Sequence, residues 1–283
     1  MRKLTLGQDL CPAQNVSDVA TQCRCINHRN SMCKLVFYTG AGMSRESGLP
    51  TFRGKGGLWD TLNIEAVAAR SSWYCGRRSD CNERRQRMLD FFNLIRSLIM
   101  KKGPNEGHYI IAELEDEYEV TVITQNGDDF HERAGSTNVI HLHGEALKNA
   151  STLHPYESYE IDHNNPDIHI GDKAPDGSQL QPYVIFFNED IELRLWKASV
   201  EATKQANVFI VVGSTMLVYP AAELLKMYVC APTCRNDNRE SHFGNLSVVQ
   251  NDCSILLLFV HKSLYIVLYR ILHSVKREAW HCQ

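Results

Sequence analysis

The chain has 283 residues, of which 43% are hydrophobic and 22% charged, with a formal net charge of -3. That apolar content is enough to bury a sizeable core and excludes disorder throughout, while the near-neutral balance offers no electrostatic footprint for nucleic acid or an anionic membrane surface. The ten cysteines fall mainly at the two ends, with only Cys75 and Cys81 between, and do not pattern like a small disulfide scaffold. No apolar run with a basic front and a cleavage site opens the chain, so a reducing, cytoplasmic setting is expected.

In chain order, residues 1–32 are polar and aperiodic and are expected to form a poorly ordered extension. Lys34 to Tyr38 reads as a buried strand that stops at the turn Thr39-Gly40-Ala41-Gly42, and a helix is expected from Ser44. Gln86 to Met100 carries a helical stripe of Met88, Leu89, Phe92, Ile95 and Ile99, ended by Gly103 and Pro104. A second helix is expected over Glu106 to Glu117, followed by a strand, Tyr118 to Thr124, that delivers the chain to Gln125-Asn126-Gly127-Asp128. A third strand, Val139 to Leu142, ends at His143-Gly144.

Residues 145–181 turn polar and are expected to be an insert or long loop before a strand at Tyr183 to Phe187. Glu192 to Gln205 has a helical pattern, and Val208 to Val212 is a continuous apolar strand feeding Gly213. Strands alternating with helices predict a parallel sheet covered on both faces. Residues 230–283 do not continue the alternation; the apolar stretch Ser254 to His273 is interrupted by His261, Lys262 and Arg270, which argues against a membrane span.

The chemistry concentrates in three blocks. Gly40 to Trp59 (GAGMSRESGLPTFRGKGGLW) places glycines directly after a strand, where backbone amides can approach a pyrophosphate. Its spacing is not the dehydrogenase G-x-G-x-x-G. Thr124 to Gly135 (TQNGDDFHERAG) is followed by Leu142-His143-Gly144, and the third block runs from Gly213-Ser214-Thr215 to Val218-Tyr219-Pro220-Ala221. In order and approximate spacing these blocks resemble the signature of the sirtuins, over about Lys34 to Val229.

The resemblance implies an α/β fold, a Rossmann-type doubly wound parallel sheet with a small insert module, in a catalytic domain over residues 33–229 that consumes NAD and removes an acyl group, acetyl above all, from protein lysine. The amide oxygen of the acyl-lysine attacks the anomeric carbon as nicotinamide leaves, and the products are free lysine and O-acyl-ADP-ribose. It makes His143 the general base on the ribose hydroxyls, with Asn126 and Asp128 holding the ribose and the nicotinamide carboxamide and Gln125 touching the ribose. Gly40, Ala41, Gly42, Ser44, Gly48, Pro50 and Trp59 belong to the first cofactor-binding block. Phe52 and Arg53 sit in the loop over the cofactor, and Gly213, Ser214 and Thr215 meet the adenosine ribose. The substrate side is assigned to Phe92, Arg96, Phe187, Asn188, Glu189 and Val218.

Five features bear on where the chain departs from the family pattern. No cysteine lies between His143 and Pro182, so the four-thiolate zinc site of most sirtuins is excluded there and no metal is expected; Gly171 to Pro182 resembles a bacterial branch without zinc. Asn188 stands for the glycine of a strand that pairs with substrate peptide, and Gly127 for an isoleucine beside the nicotinamide pocket. Phe92 and Ile95 occupy the positions that, as Tyr and Arg, select acidic acyl groups, and Arg96 is one position off, about 100° around a helix. The tail lacks the strand-plus-Asn pattern that closes the adenosine end. The expected partner is an acylated protein or peptide, met by a monomer without nucleic acid or membrane. ADP-ribosyl transfer, simple NAD hydrolysis and a non-catalytic NAD- or peptide-binding module are the competing readings.

Overall fold

A computed structural model describes residues 32–53 and 56–229, and the backbone course of 254–258. Five parallel strands, β1 (Lys34–Thr39), β2 (Glu119–Thr124), β3 (Val139–His141), β7 (Val208–Val212) and β8 (Ser254–Leu258), form one sheet in the order β3-β2-β1-β7-β8. In β1, Leu35 and Phe37 point to one face and Val36 and Tyr38 to the other, and all four are buried. This is why its run is apolar without alternation: a parallel sheet has no solvent face. Leu35 and Phe37 pack with Ile110, Ile111 and Leu114, whereas Val36 and Tyr38 pack with Phe209, Leu224 and Tyr228.

Helices cover both faces. In chain order the described helices are α1 (Ile64–Val67), α2 (Arg70–Trp73), α3 (Cys81–Met100), α4 (Glu106–Glu113), α5 (Phe130–Ala134), α6 (Leu193–Gln205) and α7 (Glu223–Val229). The predicted sheet and its two layers are present, and the fold is the Rossmann-type α/β arrangement. Connections from β1 go to β2 on one side, while β7 lies on its other side. Strand order therefore reverses between β1 and β7, the place where open parallel sheets bind ligands beyond their carboxyl ends.

The insert is not a loop. It folds as a three-stranded antiparallel sheet, β4 (Gly144–Ser151), β5 (Ser158–Glu160) and β6 (Leu180–Val184), in the order β5-β4-β6. Its polar composition hides the strands because only one face packs, against α3 and Trp73. The strand expected at Tyr183 to Phe187 accordingly starts earlier and ends at Val184.

Three further expectations change. No helix follows from Ser44: the chain makes successive turns, with Met43 N donating to Gly40 O (2.8 Å) and Gly48 N to Arg45 O (2.9 Å). The C-terminal tail is not wholly outside the fold, since Ser254–Leu258 pairs in parallel with Val208–Val212. Cys75 and Cys81, whose spacing suggests no disulfide scaffold, form a disulfide that closes the loop entering α3. Residues 1–31, including most of the expected disordered extension, lie outside the described residues, as does most of the apolar stretch Ser254 to His273. Among the described residues no helix is long and apolar enough to cross a membrane.

Candidate active site

Beyond the ends of β1 and β7 two loops pass in backbone contact. Gly40 N donates to Val212 O (3.0 Å) and Gly42 N to Gly213 O (2.9 Å). This approach is available only to glycine. A Cβ on Gly40 would lie 2.8 Å from Gly213 O, and one on Gly213, whose φ is +65°, would lie 2.6 Å from Gly42 C. The loops open onto a cavity of about 440 Å³, within the range of small-molecule sites.

From β2, the Asn126 side chain crosses to the glycine loop, Nδ2 donating to Gly40 O (3.0 Å) and to Ser44 Oγ (3.1 Å). Ser44 Oγ donates in turn to Asp128 Oδ2 (2.8 Å), which ties both loops to one buried carboxylate. Burial pushes the Asp128 carboxyl up to about 6 against the hydrogen bonds from Ser44 and from Phe130 N. Gln125, which borders the cavity, accepts at Oε1 from Ser214 Oγ (2.9 Å), while its Nε2 is buried with no partner among the described residues. Trp59 Nε1 is likewise buried without a partner. Unpartnered donors beside close-approach glycines fit a polar, anionic ligand that would complete them.

His143 follows β3 and faces the same cavity. Its Nδ1 lies 3.3 Å from Gln125 O, an acceptor, so Nδ1 carries the proton and Nε2 keeps its lone pair. Burial first, and the positive charge of Arg53 second, push its pKa down to about 4, so the ring is neutral at physiological pH.

An aromatic wall closes the remaining side. Phe52 stacks on Trp59 (5.3 Å between centroids), Trp59 meets Phe91 and Phe187 (5.9 Å each), and Phe92 meets Phe91 and Phe186. Arg53 lies over Phe187, and Ile95, Val184 and Leu49 add apolar surface.

The cavity brings together most of the residues proposed from sequence: Ala41, Gly42, Ser44, Pro50, Phe52, Arg53, Trp59, Phe92, Gln125, Asn126, Asp128, His143, Phe187, Asn188, Glu189, Gly213, Ser214, Thr215 and Val218. Gly40 shapes it without lining it. Gly48 does not line it either; with φ +89° it ends the turn series and faces the Lys102 side chain.

Arg96 is a correction to the substrate side. It is fully buried and points into the insert, where Nε donates to Ala146 O (2.6 Å), Nη1 to Pro166 O (2.6 Å) and Nη2 to Lys148 O (2.8 Å) and Asn149 Oδ1 (2.6 Å). The register of β4 against β6 shifts between Gly144 and Asn149, and the carbonyls of Ala146 and Lys148 in that stretch find Arg96. The one-residue offset in the sequence was the sign that it faces away from the cavity.

Asn188, expected to obstruct a peptide, has φ 67°, the left-handed conformation that Asn tolerates best after glycine. Neighbouring Phe187 already pairs on both its backbone groups, N to Ala68 O (2.8 Å) and O from Arg70 N (2.9 Å). Gly127 lines the cavity next to β4, and a Cβ there would lie 3.2 Å from Ala146 N.

One site residue escaped the sequence patterns. Asn105 caps α4 through Gly107 N (3.0 Å) and also donates Nδ2 to Met43 O (2.8 Å) and Ser47 Oγ (3.1 Å), holding the glycine loop. The Pro104-Asn105 step marks a helix start, and that was the available signal.

A Rossmann-type sheet whose switch point carries close-approach glycines, a neutral histidine and a buried carboxylate defines a dinucleotide-binding enzyme fold. The Sir2 family profile matches residues 40–220, and the chain belongs to the Sir2 family. It is 42% identical over 198 residues to a protein of Bacteroides thetaiotaomicron named NAD-dependent protein deacylase, covering 69% of this chain and 80% of that one. A Helicobacter pylori J99 protein of the same name is 42% identical over 193 residues, covering 68% and 77%. Among solved structures, a Sir2 homologue mutant in complex with ADP-ribose superposes with a TM-score of 0.70 at 26% identity, covering 93% of this chain and 97% of that one. A Sir2 homologue–NAD complex superposes with a TM-score of 0.65 at 27% identity, covering 90% and 94%.

Proposed function

We propose that this chain is an NAD-dependent protein deacylase that removes acyl groups from lysine, with His143 as the general base. The observation that carries the assignment of the base is the His143 ring: Nδ1 is committed to Gln125 O, and neutral Nε2 is left to accept a proton. NAD supplies the anomeric carbon at which the acyl oxygen is captured and the nicotinamide that leaves. The glycine loops, Ser44, Gln125, Asn126, Asp128, Ser214 and Thr215 would hold it, and the unpartnered Gln125 Nε2 and the absence of side chains at Gly40 and Gly213 support that fit.

The substrate is a protein or peptide bearing acyl-lysine. Phe92, Ile95 and Phe186 make the wall of the acyl pocket apolar, and Arg96 is turned away from it and consumed by four acceptors, which supports an acetyl or longer apolar acyl group over an acidic one. The Phe187-Asn188-Glu189 segment and Val218 line the same cavity and would receive the peptide. Phe52 and Trp59 exclude water from the reacting centre.

The reading carries no resident metal: Arg96 and the cluster in which Ser151 Oγ bonds Asp176 and Ser178 (2.8 Å) hold the insert instead. It describes a cytoplasmic monomer without nucleic-acid or membrane partners; a net charge of -3 supplies no attraction to a polyanion or an anionic membrane. The test is nicotinamide release from NAD by the purified protein, with and without an acetyl-lysine peptide, beside His143→Ala. Peptide-dependent release that disappears in the variant, together with O-acetyl-ADP-ribose, is expected. Peptide-independent release or protein-bound ADP-ribose would replace deacylation by hydrolysis or ADP-ribosyl transfer.

A further inference from the structure

Three histidines lie buried beneath the Asn126–Asp128 turn, and only one of them meets a carboxylate. His108 and His131 pack ring to ring (4.8 Å), and each has a nitrogen without a partner, His108 Nε2 and His131 Nδ1. Burial holds both well toward the neutral form. His141 differs. Its Nε2 lies 2.7 Å from Glu132 Oε1 and its Nδ1 lies 2.9 Å from Asn126 O. Both partners are acceptors, a carboxylate and a backbone carbonyl, so the ring satisfies both only by carrying two protons.

We propose that Glu132 and His141 form a carboxylate–imidazolium pair that positions the Asn126–Asp128 turn for NAD, making both of them positioning residues of the cofactor site. The inference rests on the functional reading above.

The connections are direct. Thr124 pairs with His141 across β2 and β3, and Leu142 N donates to Thr124 O (2.9 Å), so the ring is delivered to the end of β2 where the turn begins. With His141 on its carbonyl, Thr124 Oγ1 on its amide (3.0 Å) and its side chain on Gly40 and Ser44, Asn126 is engaged through its backbone and its side-chain amide alike. The charge of the ring also acts on Asp128 in the sense that favours ionisation, opposing burial and the like charge of Asp129. The other charged groups around the pair are Glu145 and Lys148, joined at 2.9 Å, with Lys148 acting on Glu132 and Glu145 on His141. Glu132 is pulled down by His141, and His141 is raised by Glu132 against its own burial.

Glu132→Gln separates charge from shape. The amide that this substitution introduces can donate to a neutral His141 Nε2 while Nδ1 still donates to Asn126 O, and Glu132 is 40% exposed, so folding is preserved. NAD affinity measured by calorimetry between pH 5.5 and 8.5 is the readout, beside melting temperature. In wild type, affinity is expected to fall on the acid side as Asp128 takes up a proton. In Glu132→Gln, the acid limb is expected to move upward by about half to one unit, so that affinity drops about threefold to eightfold at pH 5.5 and by less than about twofold at pH 7, with the melting temperature little changed. His141→Asn, which can reach Asn126 O but not Glu132, is expected to lose more. Wild-type affinity and an unmoved acid limb in Glu132→Gln would overturn the pair. A wild-type protein that binds no NAD would instead overturn the functional reading, and the pair with it.

Discussion

Asp128 is a carboxylate stripped of water at the one place where the two cofactor loops meet. Its pKa lies at about 6 because burial outweighs Ser44 and Phe130 N. The sign follows from proton counting. The folded state binds more protons than the unfolded state between about pH 4 and pH 6, so stability falls as pH rises through that window and stays reduced above it, by about 3 kcal/mol at most. Asp128→Asn removes this dependence. The melting temperature of the variant relative to wild type is expected to rise between pH 4 and pH 7, while NAD binding is lost; a gap constant across that range would show that Asp128 ionises without penalty. His143 is the opposite case, kept neutral by burial, as the proposed role of general base requires. His143 and Asp128 were identifiable from their motifs, but the Glu132–His141 contact was not, because it joins α5 to β3 and only the packing of the two elements brings these side chains together.

At the scale of elements, glycines and one arginine do the joining. Gly144 follows His143 with φ +79°, and a Cβ there would lie 2.8 Å from Val184 Cα, so β4 can cross β6 this closely only at a glycine. Arg96 then fastens α3 to the shifted stretch of β4 through carbonyls of β4 and the 166 region. Arg96→Met keeps the length of the side chain but takes its donor from one buried and three half-buried acceptors, and is expected to cost about 3 kcal/mol in urea unfolding. A loss under about 1 kcal/mol would mean that water replaces the guanidinium. The same variant leaves the acyl wall of Phe92 and Ile95 in place, so acyl preference is expected to be retained in whatever fraction stays folded. Helix periodicity located α3 from Gln86 onward; its first residues, Cys81 to Arg85, are too polar to show a stripe, and packing of Trp73 and the Cys75–Cys81 loop decides where it starts.

For the whole molecule, the large sheet carries the cofactor loops and the small sheet carries the segment from His143 to Glu189 that completes the cavity. If the small module stands without metal, prolonged chelation is expected to leave melting temperature and NAD affinity unchanged and elemental analysis to find less than stoichiometric zinc; a drop in melting temperature reversed by zinc would refute this. The order of apolar strands and amphipathic helices, and three motifs at their ends, determined by themselves the parallel α/β class, the family and many of the residues that line the cavity. These are local properties: a continuous apolar run is buried on both faces wherever it lies, and a glycine turn after it opens at the carboxyl edge. The antiparallel sheet of the insert, the strand at Ser254–Leu258, the inward turn of Arg96 and the pairing of His141 with Glu132 were decided only in the tertiary structure. Each depends on partners distant in sequence, whose polar groups are satisfied by pairing rather than by apolar pattern, and such pairing leaves no period along the chain.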